Sequence, residues 1–253
     1  MVRNRGIFST RDELVTIARI LQNYARLPFS PNNIPGSVME GALGHVRQGE
    51  VLRTYDFVDV VNRESGLGWQ VKSTLAQTPV TWKRAKIPSR VELILASEKS
   101  DAGLQALGDA IIGFCNRHAE ESIELYGLKE IGYARLVIHE DGEVIYFERR
   151  LCTRDKPQIF DPKDFVWRWS NPKRTAKKEQ LTALHAMHKP TGKKWFAWHG
   201  RGENQLHFSG EETWWPSAGS HRIAFRLPSE SGRLTLEAFI NLLAASENPL
   251  PSV

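Results

Sequence analysis

The chain has 253 residues, 41% of them hydrophobic and 25% charged, which is ordinary for a globular protein that buries a substantial core. Its net charge of +5 and its isoelectric point of about 9.2 give a modest basic excess that suits a polyanionic partner. The two cysteines, Cys115 and Cys152, exclude a disulfide framework and a Cys-x-x-Cys zinc site, and no apolar run reaches the roughly 18 residues that a membrane helix needs.

The N-terminal segment predicts two amphipathic helices and no secretion signal. No apolar signal core follows the first residues, so we expect a soluble, cytoplasmic protein without a membrane partner. Apolar residues recur at helical spacing from Arg11 to Ala25, Ser9 or Thr10 is placed to cap the first turn, and three prolines then end the helix. A second apolar stripe predicts a helix from Ser37 to Arg47.

The segment from Tyr55 to Thr74 predicts a β-hairpin. Two apolar, β-branched runs flank a stretch rich in Asn, Ser and Gly, which is typical of strand, turn and strand. Gln70 and Lys72 share one face of the second strand because side chains alternate, and antiparallel pairing can place Asp59 opposite them. Asp56 is the competing carboxylate, but Asp59 lies nearer the turn and matches a tighter register. The hairpin therefore gathers a carboxylate, an amide and an ammonium.

These residues resemble the catalytic motif of the PD-(D/E)xK nuclease superfamily, in particular its type II restriction endonucleases. That family has an Asp on one core strand and an acidic-x-Lys triplet on the next, and Asp59, Gln70 and Lys72 match these positions, with Gln at the acidic one. The resemblance implies that Asp59 and Gln70 bind Mg²⁺ beside the catalytic Lys72. An amide is a weaker ligand than a carboxylate. Glu40, on the helix ahead of the core strands, is therefore a candidate third ligand and catalytic residue, with a surface carboxylate as the alternative.

A basic loop is predicted from Gln77 to Pro88, bounded by prolines. It suits contacts to DNA phosphates, although a plain basic surface loop is the alternative. Its candidate phosphate donors are Lys83, Arg84 and Lys86. Residues 91–97 fit either a buried strand or a helix.

The middle of the chain predicts the rest of a central sheet. An apolar stripe from Asp101 to Leu125 predicts a helix that crosses over the sheet. Strands from Tyr133 to Glu140 and from Glu143 to Arg150 follow, with an Asp-Gly turn between them. This order predicts an α/β or α+β fold with a mixed central sheet flanked by helices, as the resemblance also implies.

A Pro- and Asp-rich connector follows these strands and suggests a boundary. We expect a nuclease core with N-terminal helices in residues 1–153. Residues 154–253 would form a basic, Trp-rich DNA-recognition subdomain packed on that core.

The start of this C-terminal part predicts a basic helix, with Asn171 as the cap and Pro172 in the first turn. Cations in the first turns oppose the helix dipole unless an anion such as phosphate binds there, although a solvated basic face is the alternative. These cations are Lys173, Arg174, Lys177 and Lys178.

Residues 193–210 predict a hairpin with a Gly-rich tip, and a helix closes the chain from about Leu234 to Ala245. The tip carries three residues of the types that read DNA bases, namely Arg201, Asn204 and Gln205. The alternative is that the tip is a structural turn with polar residues. Four tryptophans are expected in the core: Trp195, Trp198, Trp214 and Trp215. Four histidines lack the spacing of a zinc site and are expected at the surface or facing DNA: His185, His188, His199 and His207.

Taken together, the resemblance implies a Mg²⁺-dependent restriction endonuclease that acts on double-stranded DNA, usually as a homodimer on palindromic sites. Two alternatives stay open. One is a repair or junction nuclease of the same superfamily that reads structure or modification. The other is a DNA-binding protein on a degenerate, non-catalytic nuclease core, an alternative that the Gln in the triplet keeps open.

Overall fold

A computed structural model describes residues 6–31, 33–174, 179–180, 182–210 and 221–245, without the side chains of 173–174 and 179–180. It has a mixed α/β fold with two main sheets and flanking helices, which confirms the predicted fold class. The helices are α1 (Arg11–Ala25), α2 (Gly36–Arg47), α3 (Arg90–Ser97), α4 (Asp101–Tyr126) and α5 (Leu236–Ala244). The strands are β1 (Glu50–Val51), β2 (Val60–Asn62), β3 (Leu67–Leu75), β4 (Val80–Arg84), β5 (Glu130–Ile138), β6 (Glu143–Thr153), β7 (Phe165–Trp169), β8 (Lys173–Arg174), β9 (Glu179–Gln180), β10 (Leu184–His188), β11 (Lys193–Trp198), β12 (Gln205–Phe208) and β13 (Arg222–Arg226).

The first sheet is the predicted mixed central sheet. Its strand order is β1-β2-β3-β5-β6-β13, and only the β3–β5 pair is parallel. A parallel connection needs a long crossover, which α3 and α4 provide. The second sheet is antiparallel, in the order β4-β12-β11-β10-β7, and β8 and β9 form a separate pair.

Two cores cover the two faces of the first sheet. On one face, α1 and α2 pack against residues such as Trp69 and Val71 of β3. On the other face, α4 and the second sheet enclose an aromatic core that includes Trp82, Trp198 and Phe208. Because side chains alternate along β3, Gln70 and Lys72 point away from α1 and α2, toward the second sheet.

Local sequence signals set the helix ends and the turns. Thr10 and Glu13 form a reciprocal capping box at the start of α1, where Thr10 accepts from the Glu13 N–H. The Ser100 hydroxyl caps α4 by accepting from the Gly103 N–H at 3.0 Å, and Gly127 ends that helix in a left-handed conformation with φ 65°. The predicted Asp-Gly turn joins β5 to β6, with Gly142 at φ 82°.

A buried polar network ties the N-terminal segment to the first sheet. Glu148 on β6 accepts hydrogen bonds from the backbone N–H and the hydroxyl of Ser9 and from the hydroxyl of Tyr146, each at 2.6 Å. Burial raises the pKa of Glu148 in spite of these donors. Arg47 joins the network through Ser9 and an ion pair with Glu13. The network fixes where α1 begins.

Two predicted elements are wrong. The segment predicted as a basic loop contains β4, in which Val80 and Trp82 are buried, so its alternation is that of a strand. The helix predicted to begin at Pro172 is not found among the described residues either. In its place, β8 pairs with β9, and β10 follows. Residues 91–97, which fit strand or helix, belong to α3.

The chain crosses between the sheets on both sides of residue 153. β4 precedes this point but forms an edge of the second sheet, and β13 follows it but completes the first sheet. The predicted boundary therefore does not coincide with a division between the sheets. Among the described residues, no helix is long and apolar enough to cross a membrane.

Candidate functional site

The predicted hairpin is present in part: its second strand is β3, but the first strand, β2, covers only Val60–Asn62, so Asp59 lies just before the strand that was predicted to carry it. Val60 pairs with Trp69, and the Asp59 N–H donates to the Trp69 carbonyl at 2.8 Å, so the register places Asp59 beside Gln70. Asp59 Oδ2 accepts a hydrogen bond from the Val71 N–H at 2.7 Å. The carboxylate thus takes part in the pairing of the two strands at the point where β2 begins.

Lys72 forms an ion pair with this carboxylate. Its Nζ lies 3.9 Å from Asp59 Oδ2, and the two side chains are 21% and 24% exposed, so both are within reach of a solute. At an effective permittivity of about 20, the attraction across that distance is roughly 4 kcal/mol before desolvation is counted. Among the described residues Lys72 makes no closer polar contact, which leaves its ammonium N–H groups available.

Gln70 is buried in the same face of β3 and holds an unpaired oxygen. The residue is 1% exposed, and its Nε2 donates a long hydrogen bond of 3.5 Å to the Trp82 carbonyl on β4. Its Oε1 has no hydrogen-bond partner among the described residues. An unmet buried acceptor costs about 1–3 kcal/mol, so this oxygen is the kind of group that a ligand or cation satisfies.

Glu40 on α2 shares the electrostatic environment of the pair. Its pKa is raised, first by burial and then by the negative charge of Asp59, while Lys72 lowers it. The influence of both partners places Glu40 near them, which the sequence suggested only through the resemblance. A second carboxylate beside Asp59 is disfavoured until a cation offsets the charge.

Lys83 belongs to the same cluster, and its ammonium group faces the protein interior and not the solvent, where a DNA phosphate would bind. It was predicted to contact DNA phosphates, but its Nζ turns inward and donates to the backbone carbonyls of Tyr55 and Asp56. Burial lowers the pKa of Lys83, and the neighbouring Lys72 lowers it further, while Asp59 acts in the opposite direction. No local pattern indicates this placement, because Lys83 alternates with the buried Val80 and Trp82 and is therefore expected on the opposite face of β4.

Asp56, the competing carboxylate, is held elsewhere. Its Oδ2 accepts a hydrogen bond from the Tyr126 hydroxyl at 2.5 Å. The hydroxyls of Thr54 and Tyr126 hold the pKa of Asp56 below its usual value. The structure therefore brings Asp59, and not Asp56, to Lys72.

The donor types in this cluster fit a hard divalent cation. Asp59 and Glu40 provide carboxylates and Gln70 provides the unpaired amide oxygen, which are the oxygen ligands that Mg²⁺ takes. Among the described residues, no group of three or more His, Cys, Asp or Glu is arranged to hold a metal. A cation held here would need the amide oxygen as well as the two carboxylates.

The other two cations of the predicted loop are exposed. Arg84 lies at the end of β4, with Nη2 3.9 Å from the carboxylate of Glu203, and both side chains are largely exposed. Lys86 follows the strand and is exposed. These two remain accessible to a phosphate backbone.

The predicted base-reading tip is engaged in contacts within the chain. Arg201 pairs with the carboxylate of Glu98 and lies over the ring of Trp169 at 5.0 Å. Asn204 Oδ1 accepts a hydrogen bond of 2.8 Å from Arg90 on α3. To contact DNA bases, Arg201 and Asn204 would have to give up these contacts with Glu98, Trp169 and Arg90.

Gln205, the third predicted base reader, begins β12. Its Nε2 donates to the Glu203 carboxylate at 2.6 Å, and its Oε1 lies 3.0 Å from Nε2 of His207. Trp195 and Trp198 are buried as predicted, whereas Trp214 and Trp215 lie outside the described residues.

The predicted basic helix is described only in part. Lys173 and Arg174 belong to β8, so the phosphate site expected at a helix N-terminus is not formed by them. Lys177 and Lys178 lie outside the described residues.

Comparison with known proteins finds no matching protein family, no matching curated protein and no matching solved structure.

Proposed function

We propose that the protein is a Mg²⁺-dependent type II restriction endonuclease that hydrolyses phosphodiester bonds of double-stranded DNA at a short specific sequence. The observation that carries the proposal is the cluster on the hairpin. Asp59 and Lys72 lie 3.9 Å apart, and Gln70, whose buried oxygen has no hydrogen-bond partner in the described part of the chain, shares a face of β3 with Lys72. The resemblance to the nuclease motif, with Gln at its acidic position, supports the same function.

The proposed ligands are Asp59, Glu40 and the amide oxygen of Gln70. A bound Mg²⁺ supplies Lewis-acid activation of the phosphate and of the attacking water. Because a neutral amide replaces one carboxylate, Glu40 restores negative charge that the ligand set would otherwise lack. Its raised pKa, due partly to Asp59, is consistent with a position where a cation belongs.

Lys72 acts on the substrate in this proposal. Its ammonium is partly exposed, and a cation placed next to the scissile phosphate stabilises the charge that develops during hydrolysis. It also orients the attacking water through its N–H groups. Lys83 is a positioning residue, because its bonds to the carbonyls of Tyr55 and Asp56 hold the segment that leads into Asp59.

Double-stranded DNA and a homodimer on a palindromic site complete the proposal. The net charge of +5 favours a polyanion, and exposed cations such as Arg84 and Lys86 suit its backbone. Sedimentation of the chain with and without a cognate duplex tests the dimer.

A DNA-binding protein without catalytic activity is the second candidate. Two carboxylates, Asp59 and Glu40, lie near two ammonium groups, Lys72 and Lys83, so the cluster has no excess of negative charge. A site whose charges balance attracts a divalent cation less strongly than one with an excess of carboxylates does.

Digestion of a phage genome with the purified chain separates these functions. The proposal expects Mg²⁺-dependent fragments whose sequenced ends share one short motif. Cleavage confined to flaps, four-way junctions or methylated DNA would indicate the repair or modification-dependent alternative. Tight duplex binding in Ca²⁺ with no Mg²⁺-dependent cleavage of any substrate would indicate the non-catalytic protein.

A further inference from the structure

The ammonium of Lys83 is surrounded by oxygen atoms close to Asp59. Its Nζ donates one hydrogen bond to the carbonyl of Asp56 at 2.7 Å and another to the carbonyl of Tyr55. Burial lowers the pKa of Lys83 and Lys72 lowers it further, while the carboxylates of Asp59 and Asp56 raise it, so these charges all act on Lys83. Carbonyl and carboxylate oxygens are also the ligands that hard divalent cations take. Lys83 therefore places a positive charge where the surrounding groups suit a metal ion.

Asp59 lies between two groups that come from opposite layers of the fold. Glu40 is on α2, which covers one face of the first sheet, and Lys83 is on β4 of the second sheet, which covers the other face. Burial has the largest influence on the pKa of each group, and the charge of Asp59 acts on both. The carboxylate of Asp59 is therefore shared between a proposed metal ligand and an ammonium that the carbonyls hold in place.

The charges of the cluster favour one divalent cation over two. The carboxylates of Asp59 and Glu40 are matched by the ammonium groups of Lys72 and Lys83. One Mg²⁺ together with a phosphodiester already gives a positive excess, and a second Mg²⁺ would enlarge it beside two ammonium groups. Repulsion between like charges grows with the product of the charges and falls only slowly with distance. Removal of Lys83 would lower this repulsion and uncover two carbonyl oxygens.

We propose that the Lys83 ammonium takes the place of a second metal ion, so that the site works with one Mg²⁺ per chain. The inference rests on the proposed nuclease function and adds to it the number of metal ions. Two-metal sites use their second cation to stabilise charge on the reacting oxygens. Lys83 supplies part of that positive charge as a permanent part of the chain. It acts through Asp59 and is a positioning residue.

The test counts the metal ions that the intact, DNA-free chain binds. Mn²⁺ suits the same oxygen ligands as Mg²⁺, and the EPR signal of free Mn²⁺ gives the number of ions bound at saturation. We expect the wild-type chain to bind one ion. Lys83→Met keeps the length of the side chain but removes its charge and donors, and it should bind two. Lys83→Arg keeps the charge and should bind one.

Lys99→Met is the matched control, since Lys99 is exposed in the turn between α3 and α4. It should bind one ion, as the wild-type chain does. Single-turnover cleavage gives a second readout. The Hill coefficient for Mg²⁺ should be about 1 in the wild-type chain and in Lys83→Arg, and should rise toward about 2 in Lys83→Met, because the coefficient is limited by the number of sites.

Two saturable Mn²⁺ ions in the wild-type chain would overturn the inference, and so would one ion in both the wild-type chain and a folded Lys83→Met. Both results leave the proposed function intact, since a metal still binds at Asp59. Failure of the wild-type chain to bind Mn²⁺, or binding that Asp59→Asn leaves unchanged, would instead refute the proposed metal site. Urea unfolding shows whether Lys83→Met is folded, and the wild-type count tests the inference independently of that variant.

Discussion

Replacing Asp59 with asparagine separates the charge of this side chain from its part in the hairpin. The amide oxygen of asparagine can still accept the hydrogen bond that the Val71 N–H donates at 2.7 Å. The lost attraction to Lys72, 3.9 Å away, is between about 1 kcal/mol in water and about 4 kcal/mol at a permittivity of 20. Because both side chains are partly exposed, we expect the free energy of unfolding to fall by only about 1 kcal/mol.

The effect on cleavage should be far larger than the effect on stability. Asp59→Asn removes a proposed metal ligand, and the loss of one group that stabilises transition-state charge commonly lowers kcat by about 10²–10³-fold. Asp59→Ala and Lys72→Ala should each abolish cleavage in the same way. All three variants should still bind duplex DNA in Ca²⁺.

Asp56→Asn is the matched control. The residue lies three positions away, is bonded to Tyr126 and is not paired with Lys72, so cleavage should stay within a few-fold of wild type. The assay measures single-turnover cleavage of a duplex that contains the mapped site, with urea unfolding in parallel. Full activity of Asp59→Asn, or equal losses in both asparagine variants, would refute the assignment of Asp59.

Three further predictions concern other parts of the molecule. The raised pKa of Glu40 keeps it protonated to higher pH than usual, so the Mg²⁺ concentration needed for half-maximal cleavage should rise as pH falls, and Glu40→Gln should remove much of that dependence. Glu148→Ala should lower the free energy of unfolding by about 3 kcal/mol in urea because it strands buried donors, whereas Glu130→Ala, which breaks a partly exposed ion pair, should cost less than about 1 kcal/mol. A smaller loss for the first variant than for the second would contradict the network. In α4, Gly108→Ala should destabilise by about 1–3 kcal/mol, since its Cβ would lie 2.1 Å from an indole nitrogen, while Gly113→Ala, with nothing closer than 3.7 Å, should stabilise slightly; thermal unfolding compares the two.

The pH dependence of Glu148 has a definite sign. Its folded-state pKa is raised above the ordinary value, so the native state binds the proton more tightly than the unfolded chain does. The contribution of this carboxyl to stability is therefore largest at acid pH and falls as pH rises through the window between the two pKa values. A Glu148→Gln variant should lack that decline, which urea unfolding at several pH values would show.

Periodic patterns made much of the fold predictable. Helices α1, α2 and α4 follow apolar stripes, and the alternation and turn residues of the hairpin gave a register that the observed Val60–Trp69 pairing reproduces. β4 was missed because its cations and flanking prolines resemble those of a loop, although Val80 and Trp82 already alternate with polar residues.

The features that could not be predicted from the sequence depend on contacts between residues far apart in the chain. The bonds between Ser9 and Glu148 join residues 139 positions apart, and no local pattern indicates them. Likewise, the inward turn of Lys83 depends on the second sheet packing against the first. The proximity of Glu40 to Asp59 is of the same kind, since the packing of α2 on the sheet determines it.

Each half of the chain contributes an edge strand to the sheet that the other half mainly forms: β4 belongs to the second sheet and β13 to the first. This arrangement affects how the chain folds. A cut after residue 153 would give one fragment whose β6 has no outer neighbour and another whose β12 has none. Unpaired edges of this kind recruit other chains and favour aggregation. Neither half is then expected to be expressed as a well-behaved fragment, and the intact chain should unfold in a single cooperative transition.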